Sequence, residues 1–272
     1  MKNHARSVFL PALAAVFAVA LPAQVVRYGF DSTYKLGAAQ WTPNTGAGGE
    51  KSAKGAVQIN SLDLRMFAAG GANADLATAP GVAGRGRALD LTGNTPGTVN
   101  AAIAQQNAAA PGAFKALTIT GWMKHAAPLQ KDMTLIRNFA TGPSGGGFWI
   151  FATGPGTLVL QLGDGQKSAK FPVRAPAVAV PDQWVFFAAS WDGGAGLANW
   201  YFGDEAGAPA APVRVAAPAS TGMTLTATKH LAVGRASSKS PGFCGLFDDI
   251  RIFDTALAQE KIEEIRQSAL DR

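Results

Sequence analysis

The residue of this sequence with the most distinctive chemical setting is Asp248. It alternates in phase with Ile250 and Ile252, and a period of two places such side chains on one face of a strand. Since those neighbours are core residues by type, the pattern predicts a buried carboxylate, which is costly unless it is paired or binds a cation. Two interpretations stay open. Asp248 accepts hydrogen bonds from the backbone or pairs with an arginine such as Arg27 or Arg251, or it ligates a metal.

Aromatic side chains are the second feature that could do chemistry, because they offer flat faces to sugar rings. Trp122 is the first candidate for a ligand-binding position on the surface, since it shares one face of its predicted strand with Thr118 and Thr120. Trp149 follows a glycine-rich turn at 145–147 and is the second candidate. The competing interpretation is that these rings fill the core between two sheets, where large aromatic side chains bury the most surface.

The carboxylates do not form a pattern typical of catalysis. Glycoside hydrolysis needs two carboxyl groups held across a sugar site. Asp204 and Glu205 are adjacent in a predicted turn and point apart, while Glu260, Glu263 and Glu264 lie on a predicted helix with a solvent-exposed face. Three histidines and one cysteine give no zinc-binding spacing. The sequence therefore predicts a protein without enzymatic activity.

Strands must position these residues, because short apolar runs follow one another through turns of Gly, Pro, Ser and Asp without helical crossovers. Residues 116–124 alternate clearly, and 183–191 are apolar enough to be buried on both faces. Residues 256–270 form the best helix. Two segments are less clear: 37–86 is predicted as long loops with a short strand or two, and 99–110 as a helical or irregular piece. The pattern predicts an all-β sandwich of two antiparallel sheets with a short C-terminal helix.

The beginning of the chain is typical of a secretory signal. An apolar run at 8–21 follows Lys2 and Arg6 and is too short to span a membrane, and small residues favour cleavage before Gln24. We therefore predict a signal peptide at 1–23, a single domain at 24–272, and a secreted, periplasmic or cell-surface location. A retained membrane anchor is the alternative.

The charge pattern argues against nucleic acid as a partner. The formal net charge is +6, but lysine and arginine residues are scattered through the chain and form no run that could follow a phosphate backbone. We expect no nucleic-acid binding and no stable membrane insertion once the signal is removed.

Four stretches together resemble a known family. They are an alternating strand with a central tryptophan, an apolar strand that ends in Trp-Asp-Gly, an aromatic hairpin strand, and a closing strand with Asp-Asp that precedes Ala256-Leu257. In sequence order these stretches are 117–124, 183–193, 200–204 and 245–253. Their order and spacing are similar to those of laminin-G-like domains of the concanavalin A-like jelly-roll superfamily.

The resemblance implies a two-sheet antiparallel jelly-roll sandwich and a non-catalytic binding module for extracellular carbohydrate or a cell-surface protein. It also implies calcium as a candidate cofactor, because similar jelly rolls place a calcium-ligating aspartate where Asp248 stands, with Asp31 as a second ligand. Two other functions stay open. One is a structural or assembly domain without a small ligand, and the other is a divergent carbohydrate-active enzyme.

Overall fold

A computed structural model describes residues 24–36, 39–46, 63–67, 75, 77–95, 100–104, 113–140, 145–209, 211–226, 230–235 and 241–272. The predicted signal segment, 1–23, lies outside the described residues, so export stays a prediction. Within these ranges, the structure contains no helix with the length and apolar character needed to cross a membrane.

Nineteen strands and one α-helix follow one another along the described chain. In chain order the strands are β1 (Gln24–Tyr28), β2 (Tyr34–Leu36), β3 (Ala39–Thr42), β4 (Leu64–Phe67), β5 (Thr78–Pro80), β6 (Arg87–Asp90), β7 (Ala101–Ala104), β8 (Ala113–Phe114), β9 (Ala116–His125), β10 (Met133–Arg137), β11 (Gly146–Gly154), β12 (Thr157–Asp164), β13 (Ser168–Arg174), β14 (Val185–Asp192), β15 (Leu197–Gly203), β16 (Val213–Ala216), β17 (Leu225–Thr226), β18 (Ala232–Val233) and β19 (Gly245–Phe253). The helix, α1, spans Gln259–Leu270.

Two large antiparallel sheets contain most of these strands. The eight-stranded sheet has the order β16-β15-β14-β9-β19-β6-β5, with β1 also paired to β19. The nine-stranded sheet has the order β13-β12-β11-β10-β18-β7-β4-β3-β2. Strands β9 and β19 are neighbours in the eight-stranded sheet, but between them the chain forms β10 to β13 and β18 in the other sheet. The chain therefore crosses between the sheets repeatedly. The predicted all-β architecture of two antiparallel sheets with a C-terminal helix is confirmed.

One face of each sheet forms the core between them. On β9, Leu117, Ile119 and Met123 are buried in this core, as their alternation predicts. Ile136 on β10 and Ile150 on β11 are paired in register and lie in the same core from the other sheet. Removing this apolar surface from water is the main stabilising contribution to the sandwich.

The outward face of the eight-stranded sheet is covered by α1. Trp122 on β9 and Phe186 on β14 form a second apolar cluster with Ile262, Ile265 and Ala269 of the helix. These three helix residues recur at helical spacing and give α1 one buried side. The helix begins after Ala258 without a side-chain cap, so its position depends on this packing.

Polar residues on the same outward face attach the segment that leads into α1. The Leu257 N–H donates to Thr118 Oγ1 over 2.9 Å, and the Thr118 hydroxyl donates to the Thr255 carbonyl over 2.6 Å. The Ser190 hydroxyl on β14 donates to the Leu257 carbonyl over 3.2 Å. Threonine and serine on this face therefore bind protein backbone and do not face solvent.

Two weakly patterned segments contain more strand structure than predicted. The helical or irregular piece predicted at 99–110 is wrong in part, because Ala101–Ala104 forms β7 between β4 and β18. Its Ala-Ala-Ile-Ala sequence has no polar alternation, so only its pairing partners define it as a strand. The described parts of 37–86 contain three short strands, β3, β4 and β5.

Candidate functional site

The aspartate predicted to be buried lies at an irregularity of the closing strand. Strand β19 pairs with β9 along one edge, and along its other edge it pairs first with β6 and then with β1. The register with β9 shifts between Asp248 and Arg251, and Asp249 has a positive φ of 44°. A bulge redirects the side chains beside it. Asp248 and Asp249 are both buried at this junction.

Asp248 accepts hydrogen bonds from three groups. The Val82 N–H donates to Oδ2 over 3.0 Å, the Asp249 N–H donates to Oδ1 over 2.6 Å, and Arg272 Nη2 donates to Oδ1 over 3.0 Å. Burial raises the pKa of Asp248 to about 6, although Arg272 and the Val82 N–H both act to lower it. Loss of hydration therefore outweighs the favourable partners of the charged form.

The two aspartates predicted as metal ligands are brought together by an arginine. Arg272 Nη1 donates to Asp31 Oδ2 over 3.0 Å, while its Nη2 is bonded to Asp248. The predicted arginine partners of Asp248, Arg27 and Arg251, are wrong. Both pair with Asp249, at 3.4 Å and 2.6 Å.

These residues do not fit a calcium site in the arrangement that they adopt. Calcium is bound by six to eight oxygens, whereas Asp31 and Asp248 already share the guanidinium of Arg272 and also accept backbone N–H groups from Arg87 and Val82. Across the described ranges, no three His, Cys, Asp or Glu residues are grouped so that they could hold a metal ion. Calcium is predicted here from the family resemblance alone; because Arg272 already provides the positive charge that these carboxylates require, we expect no stabilisation by calcium.

Trp122 does not lie on the surface, so its predicted accessibility is wrong. Its side chain is 0% exposed and packs under α1, with its ring centroid 5.4 Å from that of Phe186. Alternation placed the ring correctly on the outward face of β9, but the helix covers that face. A ring with no exposed surface cannot stack on a sugar in this conformation.

Trp149 lies half-buried on the outward face of the nine-stranded sheet. Its indole Nε1 donates to Thr134 Oγ1 over 3.0 Å, which fixes the orientation of the ring. The ring centroid of Phe151 is 4.2 Å away, and the guanidinium carbon of Arg137 lies 5.1 Å from the Trp149 ring centroid. An arginine at this distance interacts favourably with the electron-rich face of an indole.

Strand register extends this cluster into a row that crosses most of the nine-stranded sheet. We call its eight members the arginine–tryptophan row. Each pairs with the next across neighbouring strands from β13 to β3, in the order Lys170, Gln161, Trp149, Arg137, Ala232, Ile103, Arg65 and Trp41. With about 4.8 Å between strands, the row is about 34 Å long.

The row contains two arginine–tryptophan pairs. The guanidinium carbon of Arg65 lies 5.2 Å from the ring centroid of Trp41, which matches the distance between Arg137 and Trp149. Ala232 on β18 and Ile103 on β7 lie between the two pairs. Lys170 at one end is exposed, and Trp149 is half-buried.

Arg137 is the member of the row with the most unusual electrostatic setting. It is only 8% exposed, and burial lowers the pKa of its guanidinium. Its Nε donates to the Phe139 carbonyl over 2.6 Å. Among the residues that the structure describes, no carboxylate pairs with Arg137 and no acceptor binds its terminal nitrogens. Arginine keeps its charge in such a setting, so a largely buried cation lacks an anionic partner.

Sequence reasoning identified Trp149 but missed the rest of the row. Arg65 lies between Leu64 and Met66, and this alternation marks it as outward-facing on its strand. Arg137 gives no such signal, because the register shift between Thr134 and Ile136 places both Leu135 and Ile136 in the core. Nothing in the sequence places β4 and β10 in one sheet with a common register. The row exists only through pairings between segments that are far apart in the chain.

A laminin G model, described as the concanavalin A-like lectin/glucanases superfamily, matches residues 96–263, which are more than half of the chain. The chain belongs to the concanavalin A-like lectin/glucanase superfamily. The resemblance of the four sequence stretches to this superfamily is confirmed, and with it the jelly-roll sandwich. No curated protein matches the chain.

Several solved structures share this fold. Domain 4 of AbnA, an extracellular arabinanase from Geobacillus stearothermophilus solved with arabinotriose, is 19% identical over 90% of this chain and 98% of that domain, with a TM-score of 0.56. The botulinum neurotoxin serotype D ligand-binding domain solved with N-acetylneuraminic acid is 10% identical over 90% of this chain, with a TM-score of 0.53. This chain covers 51% of that domain's length. At these identities the likeness establishes the fold alone.

Proposed function

We propose that the protein is a non-catalytic carbohydrate-binding module and that its ligand lies on the outward face of the nine-stranded sheet. The observation that carries the proposal is the arginine–tryptophan row, where an oriented, half-buried Trp149 lies between Arg137 and Gln161. Sugars present apolar C–H faces and polar edges. An indole packs on the apolar C–H face, while guanidinium, amide and ammonium groups donate hydrogen bonds to the hydroxyl groups at the polar edge.

The two outward faces of the sandwich differ in how available they are. The face of the eight-stranded sheet is occupied by α1 and by the segment that leads into it. The face of the nine-stranded sheet presents Trp149 and Lys170 with part of their surface accessible. Two relatives of the fold were solved with saccharides, arabinotriose and N-acetylneuraminic acid, and these ligands support carbohydrate as the ligand class.

A non-catalytic role is supported by the composition of the strands that carry the accessible part of the row. Strands β10 to β13 contain a single carboxylate, Asp164, at the end of β12. Its Oδ1 accepts the N–H groups of Gln166 and Lys167 over 2.9 Å and 2.8 Å, so it serves its own turn. Hydrolysis of a glycosidic bond generally requires two carboxyl groups, one on each side of the bond.

A divergent carbohydrate-active enzyme is the second candidate, and one observation favours it. Asp182, Asp204 and Glu205 line a shallow groove together with Trp184. All three carboxylates are exposed, and Glu205 Oε1 accepts the Ala83 N–H over 2.8 Å. A general acid at neutral pH usually needs burial to keep its proton, so this groove supports catalysis less well than the row supports binding.

We also propose that the protein acts outside the cytoplasm, on the basis of the signal pattern at 1–23. An extracellular or periplasmic location gives a carbohydrate-binding module access to polysaccharides and cell-surface glycans. A structural or assembly domain without a small ligand is the remaining alternative.

A glycan array followed by affinity titration of the best ligand tests the proposed site. We expect Trp149→Ala to weaken binding about tenfold or more, because truncating a central aromatic contact typically costs about 2 kcal/mol. Trp184→Ala is the matched control, since Trp184 is also half-buried but packs at the other sheet. Loss of binding in Trp184→Ala alone would move the site to the groove. An array without any bound saccharide would contradict the proposed function and favour an assembly domain.

A further inference from the structure

We infer that the arginine–tryptophan row takes an acidic saccharide, one that carries carboxylate or sulfate groups, with the Arg137 guanidinium as the partner of the anion. The inference rests on the proposed function, because it names the ligand class of the same site. It starts from the electrostatic state of Arg137 in the part of the chain that the structure describes.

The first step concerns the cost of the present arrangement. A largely buried cation without an ion pair is unfavourable, since the protein replaces its hydration only in part. Arg137 is 8% exposed, uses one N–H for the Phe139 carbonyl, and rests on the Trp149 ring. The terminal nitrogens have further hydrogen-bond donors to offer, and none of them is used within the described residues. An anion that reached them would gain a charge-assisted, two-pronged hydrogen bond.

The second step concerns the charges around Arg137. Its neighbours along the row are basic or neutral, and Lys170 adds a second cation two strands beyond Trp149. No member of the arginine–tryptophan row is acidic. The acidic end of β12, Asp164, is occupied by backbone N–H groups of its own turn. The positive electrostatic potential along the arginine–tryptophan row therefore favours a ligand that carries negative charge.

The third step concerns selectivity for a sugar acid over a simple anion. The Trp149 ring is fixed by the hydrogen bond from its Nε1 to Thr134 Oγ1 and lies beside both Arg137 and Gln161. An acidic sugar can contact the accessible part of the indole with its ring and the guanidinium with its anionic group at the same time. An inorganic anion can use only the second contact, so we expect it to bind far more weakly.

Matched polysaccharide pairs test this inference on the full protein. The carboxylate pair is polygalacturonate and the same polymer after chemical reduction of its carboxyl groups. The sulfate pair is dextran sulfate and dextran. We expect at least one acidic polymer to bind about tenfold or more tightly than its neutral counterpart, since hydrogen bonds to charged groups contribute about 1.5–3 kcal/mol. The two pairs together show which anion the site prefers.

Arg137→Gln should remove this preference. Its affinity for the acidic polymer should fall about tenfold or more, while its affinity for the neutral polymer changes little. Arg137→Lys keeps the charge but loses the planar fork, and it should recover only part of the acidic preference. Arg214→Gln is the charge-matched control, because Arg214 is exposed on β16 of the other sheet. Thermal melts establish that each variant is folded.

The outcomes separate the two proposals. Equal affinity of the wild type for acidic and neutral partners overturns the acidic preference and leaves carbohydrate binding intact. An equal loss of acidic binding in Arg137→Gln and Arg214→Gln also overturns the inference, because net charge alone would then account for the preference. Absence of binding to these pairs and to every saccharide on the array would overturn both proposals.

Discussion

Arginines on the two outward faces of the sandwich lie in different surroundings. Under and around α1, three of them are paired with nearby carboxylates: Arg251, Arg266 and Arg272. On the nine-stranded sheet, Arg137 lies over the ring of Trp149, and the described residues provide no carboxylate for it. The positive charges of the arginines around α1 are therefore compensated inside the protein. Arg137 keeps hydrogen-bond donors available to a ligand.

The difference shows how similar side chains acquire opposite roles. Arg272 connects Asp31 near the first strand to Asp248 in the last strand, so it stabilises a closed face. Breaking one partner of such a buried pair leaves an uncompensated charge. Arg137 has no such ion pair among the described residues, and this difference is the basis of our proposal that its donors take a ligand.

The largest effect that we expect distinguishes the two tryptophans predicted from the sequence. Trp122→Ala should lower the free energy of unfolding by about 3–5 kcal/mol, because it removes a fully buried ring from the cluster under α1. Trp149→Ala should cost clearly less, because its ring is only partly buried. Urea unfolding of both variants measures the difference. Equal losses would contradict the contrast between a closed and an open face.

An intermediate effect should come from the titration of Asp248, whose pKa burial raises to about 6. In the unfolded chain this carboxyl ionises near its ordinary value of about 4. Between about pH 4 and pH 6 the folded protein therefore holds a proton that the unfolded chain has released. Stability from this group is present at low pH and is lost as the pH rises through 6, by about 2–3 kcal/mol.

Comparison with Asp248→Asn isolates this contribution. The stability of the wild type relative to the variant should decrease from pH 4 to pH 7, because other titrating groups are common to both proteins. Asp254→Asn serves as the control for the loss of one carboxylate, since Asp254 is exposed just beyond β19. A difference that is constant with pH would show that the Asp248 carboxyl titrates as it does in the unfolded chain.

The smallest effect concerns calcium. Because Arg272 already pairs with both Asp31 and Asp248, we expect thermal melts with added calcium and with chelator to superimpose within about 1 °C. A clear rise of the melting temperature with calcium would contradict this expectation, since a ligand that binds the folded state must stabilise it. It would also show that the arginine can leave the aspartates.

Much of the fold could be predicted from the sequence, because period-two alternation separates core from outward residues strand by strand. It did so correctly on β9, where Leu117 and Ile119 are in the core and Thr118 and Trp122 are not. Alternation cannot tell whether an outward face is covered, so Trp122 was expected at the surface. The position of α1 over Trp122 is determined by its packing against strands that are distant in the sequence.

The candidate site was less predictable for a related reason. Trp149 could be identified as a single outward aromatic residue. Its proposed role in binding, however, depends on its cross-strand neighbours, Arg137 on β10 and Gln161 on β12. The pairing of Asp248 shows the same limit. Its burial follows from local alternation, whereas its partner Arg272 reaches it only because residues after α1 lie beside the segment that follows β1.

The position of β19 has a consequence for how the protein reaches its native state. This strand is internal to the eight-stranded sheet and pairs with β9, β6 and β1, which come from much earlier in the chain. During synthesis, those strands lack this central neighbour until residues 245–253 have emerged. Long-range pairings of this kind are slow to form. Completion of that sheet should therefore be a late step in folding, with unpaired strand edges that are open to chaperones until β19 inserts.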